Sequence, residues 1–305
     1  MKPVMFMKTK HSALLGVVVS SALVLAACGN GDSDGSDTGS GPRVVASFYP
    51  FAYVAEQVAG TNADVQNLTS PGTEPHDLEL KPRQIADVQR ADLVLYQTGF
   101  QAAVDEAVDE ADLSGSEKID IADVSALKKS SDGMDPHVWL DPSNMVKITD
   151  AVVAKLSAVD KPNAATYAKN GDAFKQKLGA LDESFRTGLE TCKTRKIVTS
   201  HAAYAYLTDK YGLEQVAIAG IDPSNEPSAA QLAGITRLVN GDGITTVFTE
   251  ELVSPKIVDT IAAETGARTA TLSPIEGLSD STKNETYLTL MEQNLEAIKK
   301  ANSCS

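Results

Sequence analysis

Three histidines and one glutamate stand where they could hold a metal. His76 lies in Ser-Pro-Gly-Thr-Glu-Pro-His-Asp-Leu-Glu, His137 in Met134-Asp-Pro-His-Val-Trp-Leu-Asp-Pro142, and His201 after Lys-Ile-Val-Thr-Ser. Glu276 lies in Leu-Ser-Pro-Ile-Glu-Gly-Leu. Each histidine falls in a loop or at a helix start, outside any apolar run. One such histidine beside the single tryptophan would read as a core residue, but three on comparable loops form a pattern. Three imidazoles and one carboxylate are a ligand set for Zn²⁺, and neutral nitrogen suits a borderline metal better than hard Mn²⁺, which prefers oxygen.

The elements that position these residues follow from the hydrophobic rhythm. Proline lacks a backbone donor and keeps its predecessor out of the helical region, so Asp135-Pro136 and Asp141-Pro142 present His137 on a stiff loop. Ser143 is the expected cap of a helix running to about residue 158. Short β-rich runs at 44–49, 65–68, 93–96 and 118–121 alternate with helical stretches at 50–59, 83–90 and 101–111. In residues 163–190, Tyr167, Phe174, Leu178, Leu181, Phe185 and Leu189 recur on one face of a long helix. The rhythm then restarts, with strands at 196–199, 215–218, 246–249 and 268–272 and helices near 201–211, 228–240, 254–265 and 284–301. The expected architecture is α/β: two pseudo-symmetric lobes, each a four-stranded, mainly parallel sheet with helices on both faces, joined by one long rigid helix. All four candidate ligands then fall beyond strand ends, where open α/β sheets bind their ligands.

Composition bounds the setting. A chain of 305 residues with 42% apolar and 22% charged residues is globular and long enough for two lobes. Lys2, Lys8 and Lys10 precede the apolar run 13–27, which suits a signal-peptide core. Removing residues 1–27 takes away three lysines and no acid, so the remainder is more acidic than the −14 of the whole chain. Nucleic acid is thereby an unsuitable partner, whereas a cation is a suitable one. The run ends Leu25-Ala26-Ala27-Cys28, which is similar to the bacterial lipobox, so Cys28 is the expected lipidated N-terminus. Residues 28–42 read as a flexible tether. The divisions expected beyond it are a lobe at 43–160, a linking helix at 161–191 and a lobe at 192–305. Cys192 and Cys304 remain, and in an oxidising exterior such a pair reads as a disulfide. The alternative is that Cys304, next to the chain end, is frayed and free.

The motifs Pro75-His76-Asp77-Leu78-Glu79 with Pro82, Asp135 to Pro142, Thr199-Ser200-His201-Ala202-Ala203-Tyr204-Ala205-Tyr206 with Tyr211-Gly212, and Pro274 to Leu278 resemble those of the metal-specific solute-binding proteins of bacterial ABC importers. Tyr287 to Leu295 completes the set, and the resemblance covers residues 43–303. It implies a monomeric, lipid-anchored receptor on the outer face of the cytoplasmic membrane, a metal held in the cleft between lobes, and a membrane permease as partner. Histidine at the third motif, His201, resembles the zinc members, whereas manganese members tend to carry carboxylates at the third and fourth positions. Many zinc members have a histidine-rich loop before the second motif, but 113–133 contains no histidine. A manganese or iron receptor is the near alternative. A zinc hydrolase would need a general base beside a metal-bound water, and no His-Glu-X-X-His pattern occurs. Glu250 and Glu251, after the strand at 246–249, are either partners of a ligand histidine or solvated loop carboxylates.

Overall fold

Short strands, apolar and buried at the centre of each sheet and more polar at the edges, build two parallel sheets in the computed structural model, which describes residues 41–305. The expected leader, the lipidated Cys28 and the tether up to residue 40 lie outside the described residues. The first half runs β1 (Arg43–Ala46), α1 (Tyr49–Ala59), β2 (Asp64–Asn67), α2 (Pro82–Gln89), β3 (Leu93–Tyr96), α3 (Ala102–Glu110), β4 (Glu117–Asp120), α4 (Ile121–Val124), β5 (Lys128–Ser130), β6 (Gly133–Asp135) and α5 (Pro142–Val159). The second half runs α6 (Ala164–Gly188), β7 (Lys196–Thr199), α7 (Ala205–Tyr211), β8 (Glu214–Ala217), α8 (Ala229–Gly241), β9 (Thr246–Thr249), α9 (Lys256–Thr265), β10 (Arg268–Thr271) and α10 (Tyr287–Asn302).

The sheets share one topology. The first has the order β2-β1-β3-β4 and the second, from its far edge, β8-β7-β9-β10, with all pairs parallel. Alternation along each strand sends side chains to opposite faces. Val44, Ala46, Leu93 and Leu95 join α1, α5 and α6 in one core, while Val45 and Val94 meet Val88 of α2 and Val104 and Val108 of α3 on the other face. In the second sheet Ile197 and Phe248 enter the first core, and Val198 and Val247 pack against Ile235, Val239, Val258 and Ile261 of α8 and α9.

That first core is continuous from one sheet to the other. The 25 residues of α6, roughly 37 Å at 1.5 Å per residue, contribute Tyr167, Phe174, Leu178, Leu181 and Phe185 to it. Along its length α6 packs on α1 and α5 and then on α10. Gly171 permits the closest approach, because a Cβ there would lie 2.4 Å from a methyl of Val153 in α5. A buried leucine or phenylalanine contributes about 1.5–3 kcal/mol, so a core shared this way resists separation of the two sheets.

Three details depart from the sequence reading. The cap of α5 is Asp141, whose carboxylate accepts the Ser143 N–H at 2.8 Å, with Pro142 in the first turn; the expected cap, Ser143, is already inside the helix. The dipeptide suits this arrangement, since proline at the first helical position needs no donor. The helix expected from residue 201 begins only at Ala205. Residues His201 to Tyr204 are held otherwise: the Thr199 hydroxyl and the Gln215 amide both donate to the His201 carbonyl, and the Ala202 N–H donates to Gly220. Finally, β5 and β6 form an antiparallel hairpin that the sequence did not suggest. Tyr206 of α7 grips it, accepting the Lys128 N–H and donating to the Asp135 carbonyl, both at 2.8 Å.

Cys192 and Cys304 are bonded, with Cα atoms 3.8 Å apart. The chain end is further secured because Lys193 N–H donates to the Asn302 carbonyl and Ser305 N–H to the Thr191 carbonyl, both at 3.0 Å.

Candidate metal site

The four residues singled out from the sequence converge at the carboxyl ends of the two sheets. One donor atom from each of His76, His137, His201 and Glu276 lies within 4.8 Å of the others. Glu276 Oε1 is the common point, 3.1 Å from His137 Nε2 and 3.4 Å from Nε2 of both His76 and His201. His137 Nε2 and His201 Nε2 are 3.2 Å apart. Zinc bonds near 2.0–2.1 Å would make the edges of a coordination tetrahedron about 3.3 Å, and these four separations are of that size, within a donor set spanning no more than 4.8 Å.

The carboxylates behind the rings determine what the inner nitrogens can do. His137 Nδ1 donates to Asp135 Oδ1 at 2.7 Å, and His201 Nδ1 donates to Glu250 at 2.8 Å. With Nδ1 carrying the proton, each neutral ring turns a bare Nε2 lone pair inward. Two lone pairs facing each other across 3.2 Å repel unless a proton or a cation lies between them. His76 Nε2 and Glu276 Oε2 are buried there without a hydrogen-bond partner, which is the donor set a cation would satisfy.

Protonation follows the same logic. Burial pulls the His137 pKa down, but the hydrogen bonds that its ring donates to Asp135 and Glu276 outweigh it and the net shift is upward. His201 is pushed well up, because the charges of Glu250 and Glu276 overcome its burial. Burial would raise Glu276, yet the His201 charge and then hydrogen bonding to His137 and His201 hold it well below the usual carboxylate range. Glu74, which accepts the His76 N–H at 2.9 Å, is pushed up to about 8 by burial and then by the Glu276 charge.

Local structure aims each candidate ligand. In the Asp135-Pro136-His137 turn the Asp135 carboxylate takes both the backbone N–H and the ring N–H of His137. The sequence shows Asp135 beside proline as a turn residue and does not name it as this partner; an Asp two residues before a histidine is the signal for it. Of the two glutamates after β9, Glu250 is the one behind His201, while Glu251 is a neighbouring acid whose pKa burial raises. Ile275, immediately before Glu276, has φ 57°. A β-branched residue in the left-handed region is strained by about 1–3 kcal/mol. The surrounding loop holds it there: the Trp139 indole donates to the Pro274 carbonyl at 2.7 Å, and Asn294 brackets Ser273 through both its backbone groups. Trp139 comes from the first half of the chain, so the loop carrying Glu276 is pinned to the side that supplies His137.

Removing a carboxylate behind a ring should therefore be felt by the metal. Glu250→Gln or Asp135→Asn should lower zinc affinity by about 10–100-fold, measured by competition with a chromophoric chelator. Unchanged affinity in folded variants would show that the carboxylates do not support the ligands.

Residues 44–301 match the sequence profile of the family described as zinc-uptake complex component A, periplasmic (ZnuA). The chain is 34% identical to the high-affinity zinc uptake system protein ZnuA of Bacillus subtilis, over 93% of this chain and 96% of that protein. It is 35% identical to the zinc-binding lipoprotein AdcA of Streptococcus pneumoniae over 91% of its own length, and spans 58% of that longer protein. The crystal structure of the Zn(II)-bound ZnuA-like domain of the pneumococcal AdcA superposes with a TM-score of 0.76 at 35% identity, covering 86% of this chain and 99% of that domain. Paired four-stranded sheets, an inward-facing His₃Glu cluster and a match across nearly all the described residues place this chain in the zinc-uptake complex component A family, a family of transport receptors.

Proposed function

We propose that the protein is an extracytoplasmic receptor that captures Zn²⁺ between its two lobes and delivers it to the permease of an ABC importer. The ligands are His76, His137, His201 and Glu276, and the observation that carries the reading is the convergence of their donor atoms within 4.8 Å. Two ligands come from each half of the chain, so a bound ion joins both lobes. A lipid at Cys28 holds a monomeric receptor beside the permease on the outer face of the membrane. One acyl chain alone binds a membrane weakly, so stable retention needs more than one. The relatives named for zinc uptake support this assignment.

Metal competition tests it. The chain lacking residues 1–28, titrated with Zn²⁺ and Mn²⁺ against each other, should bind one zinc and prefer it by at least about 100-fold, as three nitrogens in four donors dictate. Preference for Mn²⁺ would reassign the receptor to manganese, and hydrolytic turnover by the zinc-loaded protein would contradict a transport role.

A further inference from the structure

Two buried glutamines frame the turn after β3, and the ligand chemistry described above uses neither. Gln97 directly follows β3 and Gln101 directly precedes α3; they are 3% and 2% exposed. The turn between them is closed by the Phe100 N–H donating to the Gln97 carbonyl at 3.2 Å. Gly99 within it has φ 83°, a value that glycine adopts freely.

Gln97 Nε2 donates to the Pro136 carbonyl at 3.0 Å, and Gln101 Nε2 donates to the Pro75 carbonyl at 3.2 Å. Pro136 and Pro75 are the residues immediately before His137 and His76. Gln101 Nε2 also reaches the Thr69 hydroxyl at 3.1 Å, which in turn donates to the Ser47 carbonyl at 2.8 Å, beyond the end of β1. Between the glutamines, Phe100 lies edge-on to the His76 ring with centroids 4.7 Å apart. A single turn thus holds both ligand loops of the first lobe.

We propose that Gln97 and Gln101 are positioning residues that set the spacing between His76 and His137 for the metal. A carbonyl can only accept, so each amide must turn its nitrogen toward the loop. The amide oxygens of both glutamines are buried without a hydrogen-bond partner, an arrangement that costs stability. Gln101 also occupies the cap position of α3, where serine, threonine, asparagine or aspartate would cap the helix. Its side chain makes no capping bond. Local rules broken twice in one turn, each time in favour of a bond next to a metal ligand, mark a functional arrangement.

The inference rests on the proposed zinc site, and the wild-type control separates the two: wild-type protein that fails to bind zinc removes the site itself. Gln97→Leu and Gln101→Leu, made in the chain lacking residues 1–28, should each lower zinc affinity by about 10–100-fold and alter the visible absorption of the Co²⁺-loaded protein, which reports ligand geometry. The melting temperature of the metal-free variants should hold or rise. Variants that melt lower but keep wild-type affinity and Co²⁺ spectrum would reduce the glutamines to structural residues and overturn the proposal. Should the variants not fold, the wild-type protein decides by ¹⁵N NMR. The side-chain amides of Gln97 and Gln101 should shift and exchange more slowly when zinc binds, and amides indifferent to zinc would overturn the proposal.

Discussion

Replacing His137 with alanine is expected to weaken zinc binding by more than about 100-fold, beyond the usual loss on removing a partner behind a ligand. His137 is completely buried and touches two other candidate ligands, at 3.1 Å to Glu276 and 3.2 Å to His201. Its removal also leaves the Asp135 carboxylate, 2% exposed, without the ring it orients. Isothermal titration or chelator competition measures the effect, and wild-type affinity in His137→Ala would remove His137 from the site. The same geometry fixes the sign of the pH dependence. His137 and His201 have raised pKa values, and an imidazolium cannot ligate a metal. Zinc affinity should therefore fall as pH drops through those raised values, beginning above the ordinary histidine value of about 6.5. In the metal-free protein, protonation of these rings stabilises the fold; that contribution is complete below about 6.5 and is lost as pH rises through the folded-state values. Affinity that stays constant from pH 8 down to pH 5 would contradict competition between proton and metal.

Breaking the Cys192–Cys304 bond should have the largest effect on stability. The bond closes a loop with a sequence separation of 112, for which chain entropy gives about 4–5 kcal/mol. It joins the connection between α6 and β7 to the segment just beyond α10. Neither cysteine touches the metal ligands, so Cys192→Ser with Cys304→Ser should lower the denaturation midpoint and leave the zinc affinity of the folded protein nearly unchanged. Equal midpoints for the oxidised protein and the double variant would show that the bond contributes nothing. Two free thiols in the denatured, unreduced chain would show that it does not form.

Much of this architecture is legible in the sequence because parallel strands buried on both faces are short apolar runs. β3, β7 and β9 fall on the runs at 93–96, 196–199 and 246–249. The buried stripe of α6 reads directly from helical spacing. The hairpin of β5 and β6 does not, since Lys128–Ser130 and Gly133–Asp135 carry almost no apolar pattern and are fixed by contacts to Tyr206, far away in sequence. Three of the four candidate ligands are conspicuous as rare histidines beyond strand ends. Their supports are less so: Glu250 and Glu251 are adjacent and chemically identical, and only the direction of the backbone after β9 selects Glu250. Ile275 gives no warning of its left-handed conformation, because nothing in its type favours it; the fixed carbonyl of Pro274 and the tethered Ser273 impose it. Gln97 and Gln101 are equally silent, being ordinary polar residues whose role depends on which carbonyls the turn brings near.

A crystal structure of the zinc-loaded protein with anomalous data at the zinc absorption edge tests the four-residue zinc site. A single peak is expected, about 2.0–2.2 Å from Nε2 of His76, His137 and His201 and from a carboxylate oxygen of Glu276. A zinc peak elsewhere, or one at this position lacking two or more of these four ligands, would contradict it.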